Sequence, residues 1–190
     1  MSGSQSPLLL AVERSTLLVI DVQEKLAPLV REPQRLVWNI RRLLDAASIL
    51  GVPASATEQY PKGLGKTLPE LASRLGPAPE KMRFSCSECE AVFTPWKAAE
   101  RMQVVVTGME THVCVQQTVL DLLHQGFRPH VVADAVSSRG LLDHEIALDR
   151  LRAAGAVITT TESVLFEWCR TASAPHFKSI SALVRETSPQ

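Results

Sequence analysis

Three residues in distant parts of the sequence carry side chains that could act together in catalysis. Asp21 ends the apolar segment "TLLVID", Lys81 lies in "EKMRFS", and Cys114 follows the apolar segment "QVVVTG". A thiol, a carboxylate and an ammonium can serve as nucleophile, base and electrostatic support in acyl transfer. Each also has an ordinary structural explanation, since cysteines pack in cores, aspartates end strands and lysines are solvated. The elements around these residues decide whether they can meet.

Strand and helix patterns alternate six times along the chain. Apolar runs predict strands at Thr16–Asp21, Val52–Glu58, "QVVVTG", "PHVVADA" and "AVITTT", with Glu80–Ser85 a brief strand or a loop. Helical spacing predicts helices over 33–51, from about Thr67, and over Ser87–Glu100, Val113–Gly126, Leu141–Gly155, Glu162–Cys169 and Pro175–Glu186. This alternation predicts an α/β fold, a three-layer α/β/α sandwich with a mostly parallel, Rossmann-like sheet.

The predicted sheet gives the three residues a common location. Ligands of open parallel sheets bind beyond the carboxyl ends of the strands, and Asp21, Lys81 and Cys114 all lie at or just after such ends. Cys114 is also predicted at a helix N-terminus, where free amides, the helix dipole and a nearby lysine would lower the pKa of a thiol. We therefore expect a crevice in which Cys114 is nucleophilic at neutral pH and Asp21 takes its proton.

Composition limits the classes of protein and partner. The 190 residues favour a single domain, and 20 basic residues balance 20 acidic ones, so bulk electrostatics favours neither a nucleic acid nor an acidic membrane as partner. The N-terminus lacks the basic start and long apolar stretch of a signal peptide, and no run approaches the length of a membrane span. Four unevenly placed cysteines are unlike a secreted disulfide framework. We expect a cytoplasmic protein.

Several motifs resemble the isochorismatase-like cysteine hydrolase superfamily, and within it the isochorismatase domain-containing proteins. They are "LLVIDVQEKL", "EKMRFSCSE" and "VVVTGMETHVCVQQTVLDLLHQG", while "TEQYPKGLG" and "VVADAVSSRG" look like the metal-independent branch. The resemblance runs from about Thr16 to Glu186 and implies a six-stranded sheet in one domain, residues 1–190. It also implies a homo-oligomer with an Asp21-Lys81-Cys114 triad that hydrolyses an amide-like C–N bond of a small molecule through a covalent thioester.

The resemblance further implies a specific backbone geometry beside the nucleophile. In similar enzymes a non-proline cis peptide precedes the cysteine, and it maps to Met109-Glu110 here. Such a bond would turn the Glu110 amide toward the same point as the Cys114 amide, so that the two N–H groups form an oxyanion hole. From position alone, four residues are expected to line the substrate pocket: Gln59, Tyr60, Phe84 and Thr111.

No metal or other cofactor is expected. Nicotinamidases of the superfamily bind a metal through an Asp-x-His pair and further histidines, whereas this chain has "SATEQYPKGLG" there and no histidine between Met1 and Glu110. Isochorismatases proper lack the cysteine, so Cys114 argues against their vinyl-ether chemistry. Cys86 and Cys89 have the spacing of a redox or zinc pair but lack a second pair, and we expect them at ordinary helix positions.

Alternatives remain for the function and for individual residues. A nucleotide-binding module is disfavoured because no G-x-G-x-x-G follows the first strand, whereas a catalytically silent scaffold with the hydrolase fold stays open. His112 could pair with the cysteine as a base, but is expected to be a polar residue at the pocket rim. The serines of "SSRG" are expected to cap the helix from Leu141, and Arg139 could hold an interface ion pair or an anionic substrate.

Overall fold

The strands and helices alternate along the chain in the computed structural model, which describes residues 6–189. The strands are β1 Ser15–Ile20, β2 Ala54–Gln59, β3 Glu80–Lys81, β4 Gln103–Met109, β5 Arg128–Ser137 and β6 Val157–Thr159. The helices are α1 Pro33–Leu50, α2 Pro61–Leu64, α3 Pro69–Ala72, α4 Glu90–Ala98, α5 Gln116–His124, α6 Leu141–Ala153, α7 Thr161–Cys169 and α8 Phe177–Val184. Within residues 6–189, no helix has both the length and the apolar character needed to cross a bilayer.

The six strands form one parallel sheet in the order β3-β2-β1-β4-β5-β6. Strand β1 lies inside the sheet and is buried on both faces: Leu17 and Val19 belong to the core under α1, α7 and α8, while Leu18 and Ile20 belong to the core under α4 and α5. The predicted three-layer α/β/α fold is therefore confirmed. The chain reverses its direction of strand addition between β1 and β4, which places a crevice at the carboxyl ends of these two strands.

Proline and glycine residues at the ends of helices account for the helix that the sequence predicted best. Pro33 occupies the first turn of α1, and Gly51 ends that helix with a left-handed φ of 71° and a hydrogen bond from its N–H to the carbonyl of Ala47. The short helix α2 was not predicted, because four residues are too few to show helical periodicity. The next helix, α3, begins at Pro69 rather than Thr67. The β3 strand is limited to Glu80 and Lys81.

Gly108 allows β4 to approach β1 closely just before the chain leaves the sheet. Its φ is +118°, and a Cβ atom built there would lie 2.1 Å from the carbonyl oxygen of Ile20, which is its neighbour in register. The pairing of β4 with β5 also shifts register between Val106 and Gly108. Only glycine can combine this positive φ with so close an approach to the Ile20 carbonyl. Gly108 therefore sets the direction in which the chain continues toward Cys114.

The substitution Gly108→Ala is expected to destabilise the protein by about 3 kcal/mol or more, because the new methyl group meets backbone that cannot move and the positive φ is strained. Urea unfolding measures this loss. The matched control is Gly76→Ala, where a Cβ meets nothing within 4 Å and φ lies outside the left-handed range. Equal stabilities of the two variants would show that β4 and β1 can separate at Gly108.

Candidate active site

The structure brings the side chains of Asp21, Lys81 and Cys114 together at the carboxyl ends of the central strands. Asp21 directly follows β1, Lys81 ends β3, and Cys114 lies in the turn after β4. The Nζ of Lys81 is 2.7 Å from Oδ2 of Asp21, and both side chains are completely buried. The thiol of Cys114 interacts with the same carboxylate, whose negative charge acts on the sulfur. The carboxylate is therefore the group that links the ammonium to the sulfur.

A chain of hydrogen bonds from β2 fixes the other side of the Asp21 carboxylate. Thr57 donates its hydroxyl proton to Oδ1 of Asp21 at 2.8 Å, and the sulfur of Cys86 lies 3.3 Å from the same hydroxyl oxygen. Because a carboxylate only accepts, the Thr57 hydroxyl is left to accept from the Cys86 thiol. Thr57 pairs with Ile20 in the parallel register, which explains why it lies beside Asp21. The φ of Asp21 itself is 54°, in the left-handed region.

The ammonium of Lys81 is held by neutral oxygen atoms in addition to Asp21. Its Nζ donates to Oε1 of Gln59 at 2.7 Å and to the carbonyl oxygens of Phe84 at 2.9 Å and Arg83 at 3.3 Å. Gln59 is held in turn, since its N–H donates to the side chain of Gln23 and its Nε2 to the carbonyl of Met82. These acceptors replace the water that the buried ammonium has lost.

The electrostatics of the three groups differ from the prediction at the thiol. Burial raises the pKa of Asp21 in spite of Lys81, and burial together with the negative charge of Asp21 raises the pKa of Cys114 far above its ordinary value, although Lys81 opposes this. Burial disfavours the charge on Lys81, but Asp21 outweighs it and the pKa of the lysine is raised. The expectation of a lowered thiol pKa is therefore wrong: burial and the carboxylate outweigh the helix N-terminus.

The raised pKa values indicate a protonated thiol beside a carboxylate of increased basicity. In such a pair the proton moves when the sulfur attacks, and not before. The carboxylate can then act as base, while the lysine compensates its charge.

Cys114 lies in a turn of π-helix, Thr111–Val115, that leads into α5. We call residues 110–115 the nucleophile turn. The peptide bond between Met109 and Glu110 is cis, and the carbonyl of Glu110 accepts hydrogen bonds from the N–H groups of Val113 and Val115. Cys114 is 6% exposed, so a small part of the residue reaches the surface. The helix expected from Val113 thus begins two residues earlier, with wider turns.

The four residues expected to line the pocket fall into two pairs. Gln59 and Thr111 are buried, with Gln59 bound to Lys81 and the hydroxyl of Thr111 2.9 Å from Nδ1 of His144. Tyr60 and Phe84 are about half exposed, and Tyr60 lines a cleft of about 280 Å³ beside the β3 edge. A lining role for these residues stays a prediction.

The two cysteines of the predicted pair lie in and just after the turn that leads into α4. Cys86 is buried in a 3-10 turn, Cys86–Glu88, and Cys89 precedes α4. In the part of the chain that the structure describes, no three His, Cys, Asp or Glu side chains are grouped to hold a metal ion.

The capping prediction for "SSRG" is wrong, because Gly140 precedes α6 without any side-chain cap and Ser137 instead donates to the carbonyl of Arg31 at 2.7 Å.

Two residues whose roles the sequence left open, one in the nucleophile turn and one in the connection after β5, have defined partners. The Nδ1 of His112 lies 3.0 Å from the hydroxyl of Ser138. Arg139 forms an ion pair with Glu110, with Nε 3.0 Å from Oε2. Neither contact was predicted from the sequence, and Thr57 was missed, although parallel pairing of β1 with β2 could have placed Thr57 beside Asp21.

Comparison with known proteins identifies the family. Residues 15–163 match the isochorismatase domain, and this chain belongs to the isochorismatase family. The zebrafish (Danio rerio) Isochorismatase domain-containing protein 2 is 42% identical over 181 residues, which cover 95% of this chain and 91% of that protein. The sequence resemblance is thereby confirmed.

Solved structures agree with this classification. The MAR1 ribonuclease from Caenorhabditis elegans superposes with a TM-score of 0.88 and 37% identity, covering 96% of this chain and 95% of that one. The YcaC gene product from Escherichia coli, described as an octameric hydrolase of unknown specificity, has a TM-score of 0.86 and 27% identity over 95% of this chain and 91% of its own. The chain therefore has the isochorismatase-family hydrolase fold.

Removing one member of the buried ion pair is expected to destabilise the fold. Lys81→Met leaves the Asp21 carboxylate buried without its cation and should cost about 3–5 kcal/mol at pH 7. Because burial raises the pKa of Asp21, the folded protein binds this proton at a higher pH than the unfolded chain does. The loss of stability caused by Lys81→Met is therefore full above the folded pKa and shrinks as the pH falls through it. Urea unfolding at pH 7 and pH 5 measures both effects.

The double variant Lys81→Met with Asp21→Asn is the control for this prediction. It removes both charges and should recover most of the stability that the single variant loses at pH 7. A single variant as stable as the wild type, or a double variant that loses the sum of both penalties, would contradict the buried ion pair.

Proposed function

We propose that this protein is a cysteine hydrolase that cleaves an amide-like C–N bond of a small molecule through a covalent thioester on Cys114. The observation that carries the proposal is that the buried Asp21 carboxylate forms an ion pair with the Lys81 ammonium and interacts electrostatically with the Cys114 thiol. A nucleophile, a base and a compensating cation are what acyl transfer from nitrogen to sulfur requires. Membership of the isochorismatase family supports a hydrolase.

The acylation step assigns one role to each member of the triad. As the sulfur of Cys114 attacks the carbonyl carbon, its proton passes to the carboxylate of Asp21. The C–N bond of the tetrahedral intermediate then breaks, and protonated Asp21 returns the proton to the leaving nitrogen. Lys81 stays charged throughout and stabilises the negative charge that moves between the carboxylate and the intermediate.

The deacylation step uses the same base a second time. Asp21 removes a proton from a water molecule that attacks the thioester carbon, and the C–S bond breaks as the acid leaves. The proton then returns to the sulfur, which restores the Cys114 thiol. The raised pKa of Asp21 suits this role, because a base works best when its pKa lies close to the working pH.

The negative oxygen of both tetrahedral intermediates needs hydrogen-bond donors. We assign this role to the backbone N–H groups of Glu110 and Cys114, which belong to the nucleophile turn that follows the cis Met109-Glu110 bond. Such an oxyanion hole contributes about 3–4 kcal/mol to transition-state stabilisation per donor in comparable hydrolases.

We further propose a small-molecule substrate, no cofactor, and a homo-oligomer of a single hydrolase domain that spans the chain. The E. coli YcaC product is described as octameric, which supports an oligomer. The C. elegans neighbour is described as a ribonuclease. A long RNA would bind mainly through phosphate contacts, and the balance of 20 basic and 20 acidic residues gives this chain no net attraction to a polyanion.

Ammonia release from a panel of small amides, ureides and carbamoyl compounds tests the proposal. Cys114→Ala should abolish turnover of any compound that the wild type hydrolyses, because no thioester can form, and Asp21→Asn should slow it by about 100-fold or more. The matched control is Cys169→Ala, which removes a buried thiol from the opposite face of the sheet and should leave turnover unchanged.

Two results would reject the proposal. One is ammonia release by Cys114→Ala at the wild-type rate. The other is failure of the whole panel together with iodoacetamide labelling of Cys114 no faster than that of Cys86, Cys89 and Cys169, which would favour the catalytically silent scaffold. An RNA substrate included in the panel shows whether cleavage of phosphodiesters accounts for any activity.

A further inference from the structure

Three consecutive residues of the nucleophile turn are tied to the connection between β5 and α6. We call residues 138–144, which comprise this connection and the first turn of α6, the clamp segment. The contacts are Glu110 with Arg139, Thr111 with His144, and His112 with Ser138. The sequence separation between the two segments is about thirty residues, and the partners do not run in order along the chain. The side chains of three successive residues in the nucleophile turn are therefore each held by the clamp segment.

The contact between Thr111 and His144 is the most protected of the three. The hydroxyl of Thr111 lies 2.9 Å from Nδ1 of His144, and Thr111 is completely buried. Burial lowers the pKa of His144, so its ring is neutral at neutral pH and carries one acceptor nitrogen. A buried hydroxyl without this partner would lose its hydrogen bond altogether, since water cannot replace it.

Arg139 binds the Glu110 carboxylate with two donors, one from its backbone and one from its side chain. Both the backbone N–H and the Nε of Arg139 donate to the same carboxylate oxygen, at 3.2 and 3.0 Å. The Glu110 side chain is 10% exposed, whereas that of Arg139 is 63% exposed. The backbone contact orients Glu110 even when the exposed guanidinium is screened by solvent.

The clamp segment is itself anchored to the chain just before α1. The N–H of Arg31 donates to the carbonyl of Ser138 at 3.1 Å, and Ser137, just before the segment, donates its hydroxyl to the carbonyl of Arg31 at 2.7 Å. Ser138 is completely buried. At the other end, the N–H of His144 bonds the carbonyl of Gly140 within the first turn of α6. A segment that is held at Ser138 and continues into a helix at its other end can transmit a position to the turn it contacts.

We propose that the clamp segment positions the Cys114 sulfur against Asp21, with His144 as a positioning residue that acts through Thr111. This inference rests on the proposed function, in which Cys114 is the nucleophile. Thr111 is the first residue of the π-helical turn, and its carbonyl accepts the N–H of Gln116 at the start of α5. A change in the orientation of Thr111 therefore moves the turn that carries the sulfur. Small displacements of a reacting atom cost large factors in rate.

Alkylation of Cys114 by iodoacetamide, followed by mass spectrometry of the intact folded protein, tests this role. Thr111→Val keeps the shape of the side chain and removes the hydroxyl, and His144→Phe keeps a ring and removes the nitrogen. Each is expected to slow alkylation of Cys114 by about fivefold to tenfold, the effect of one lost buried hydrogen bond. The double variant should be no slower than the slower single variant, because both remove the same contact.

Conservative variants separate positioning from general stability. Thr111→Ser keeps the hydroxyl, and His144→Asn can place an amide atom near the position of Nδ1; both should alkylate within about twofold of the wild-type rate, while the thermal unfolding midpoint of each variant is recorded. The matched control on the same helix is Arg152→Gln, which removes the exposed ion pair with Asp149 and should change nothing at Cys114.

Two results would overturn the positioning role while leaving the proposed function intact. One is preferential labelling of Cys114 that Thr111→Val and His144→Phe do not slow. The other is slowing by the two single variants that multiplies in the double variant, which would show that they act independently. If wild-type Cys114 is not labelled in preference to the other cysteines, the proposed function fails, and the positioning role fails with it.

Discussion

The buried ion pair between Lys81 and Asp21 is the interaction on which the arrangement of the site depends. Removing an ammonium and a carboxylate from water costs several kcal/mol for each group, and the pair is tolerated only where further hydrogen bonds satisfy both. Here Gln59 and two carbonyl oxygens serve the ammonium, and Thr57 serves the carboxylate. These groups come from β2 and from the loop after β3, and β3 carries Lys81 itself, which explains why a two-residue strand at the sheet edge is needed at all.

This constraint also determines the chemistry that the thiol can perform. A cysteine placed against a compensated carboxylate is stabilised as a thiol, and burial adds to that preference. The site therefore differs from a cysteine–imidazolium pair, in which the thiolate exists before substrate arrives. In the proposed mechanism the nucleophile forms together with the bond to the substrate, and the same carboxylate then supplies the proton that the leaving nitrogen requires.

Local sequence signals were sufficient for the elements whose ends are marked by residues such as proline and glycine. Pro33 and Gly51 delimit α1, and the carboxyl ends of the predicted strands correctly placed Asp21, Lys81 and Cys114 in one region. Short elements such as α2 escaped, because periodicity needs more than one turn to be visible.

Properties set by tertiary packing could not be read from the sequence. The pKa of Cys114 depends on burial, which no local pattern reveals, and the helix N-terminus that the sequence does reveal has a smaller effect. Ser137 and Ser138 are common capping residues, yet the chain bends so that their partners are Arg31 and His112. The partners of a polar side chain in a connecting segment depend on the path of the chain, which the β4–β5 register shift alters here.

The alkylation rate of Cys114 in Asp21→Asn, compared with the wild type at neutral pH, tests the role of the carboxylate most directly. If Asp21 takes the thiol proton during attack, the folded variant should react with iodoacetamide about tenfold or more slowly, because asparagine cannot accept that proton. If instead a thiolate stabilised by Lys81 exists beforehand, loss of the negative charge beside the sulfur lowers the thiol pKa and alkylation becomes faster. Faster alkylation would contradict the account.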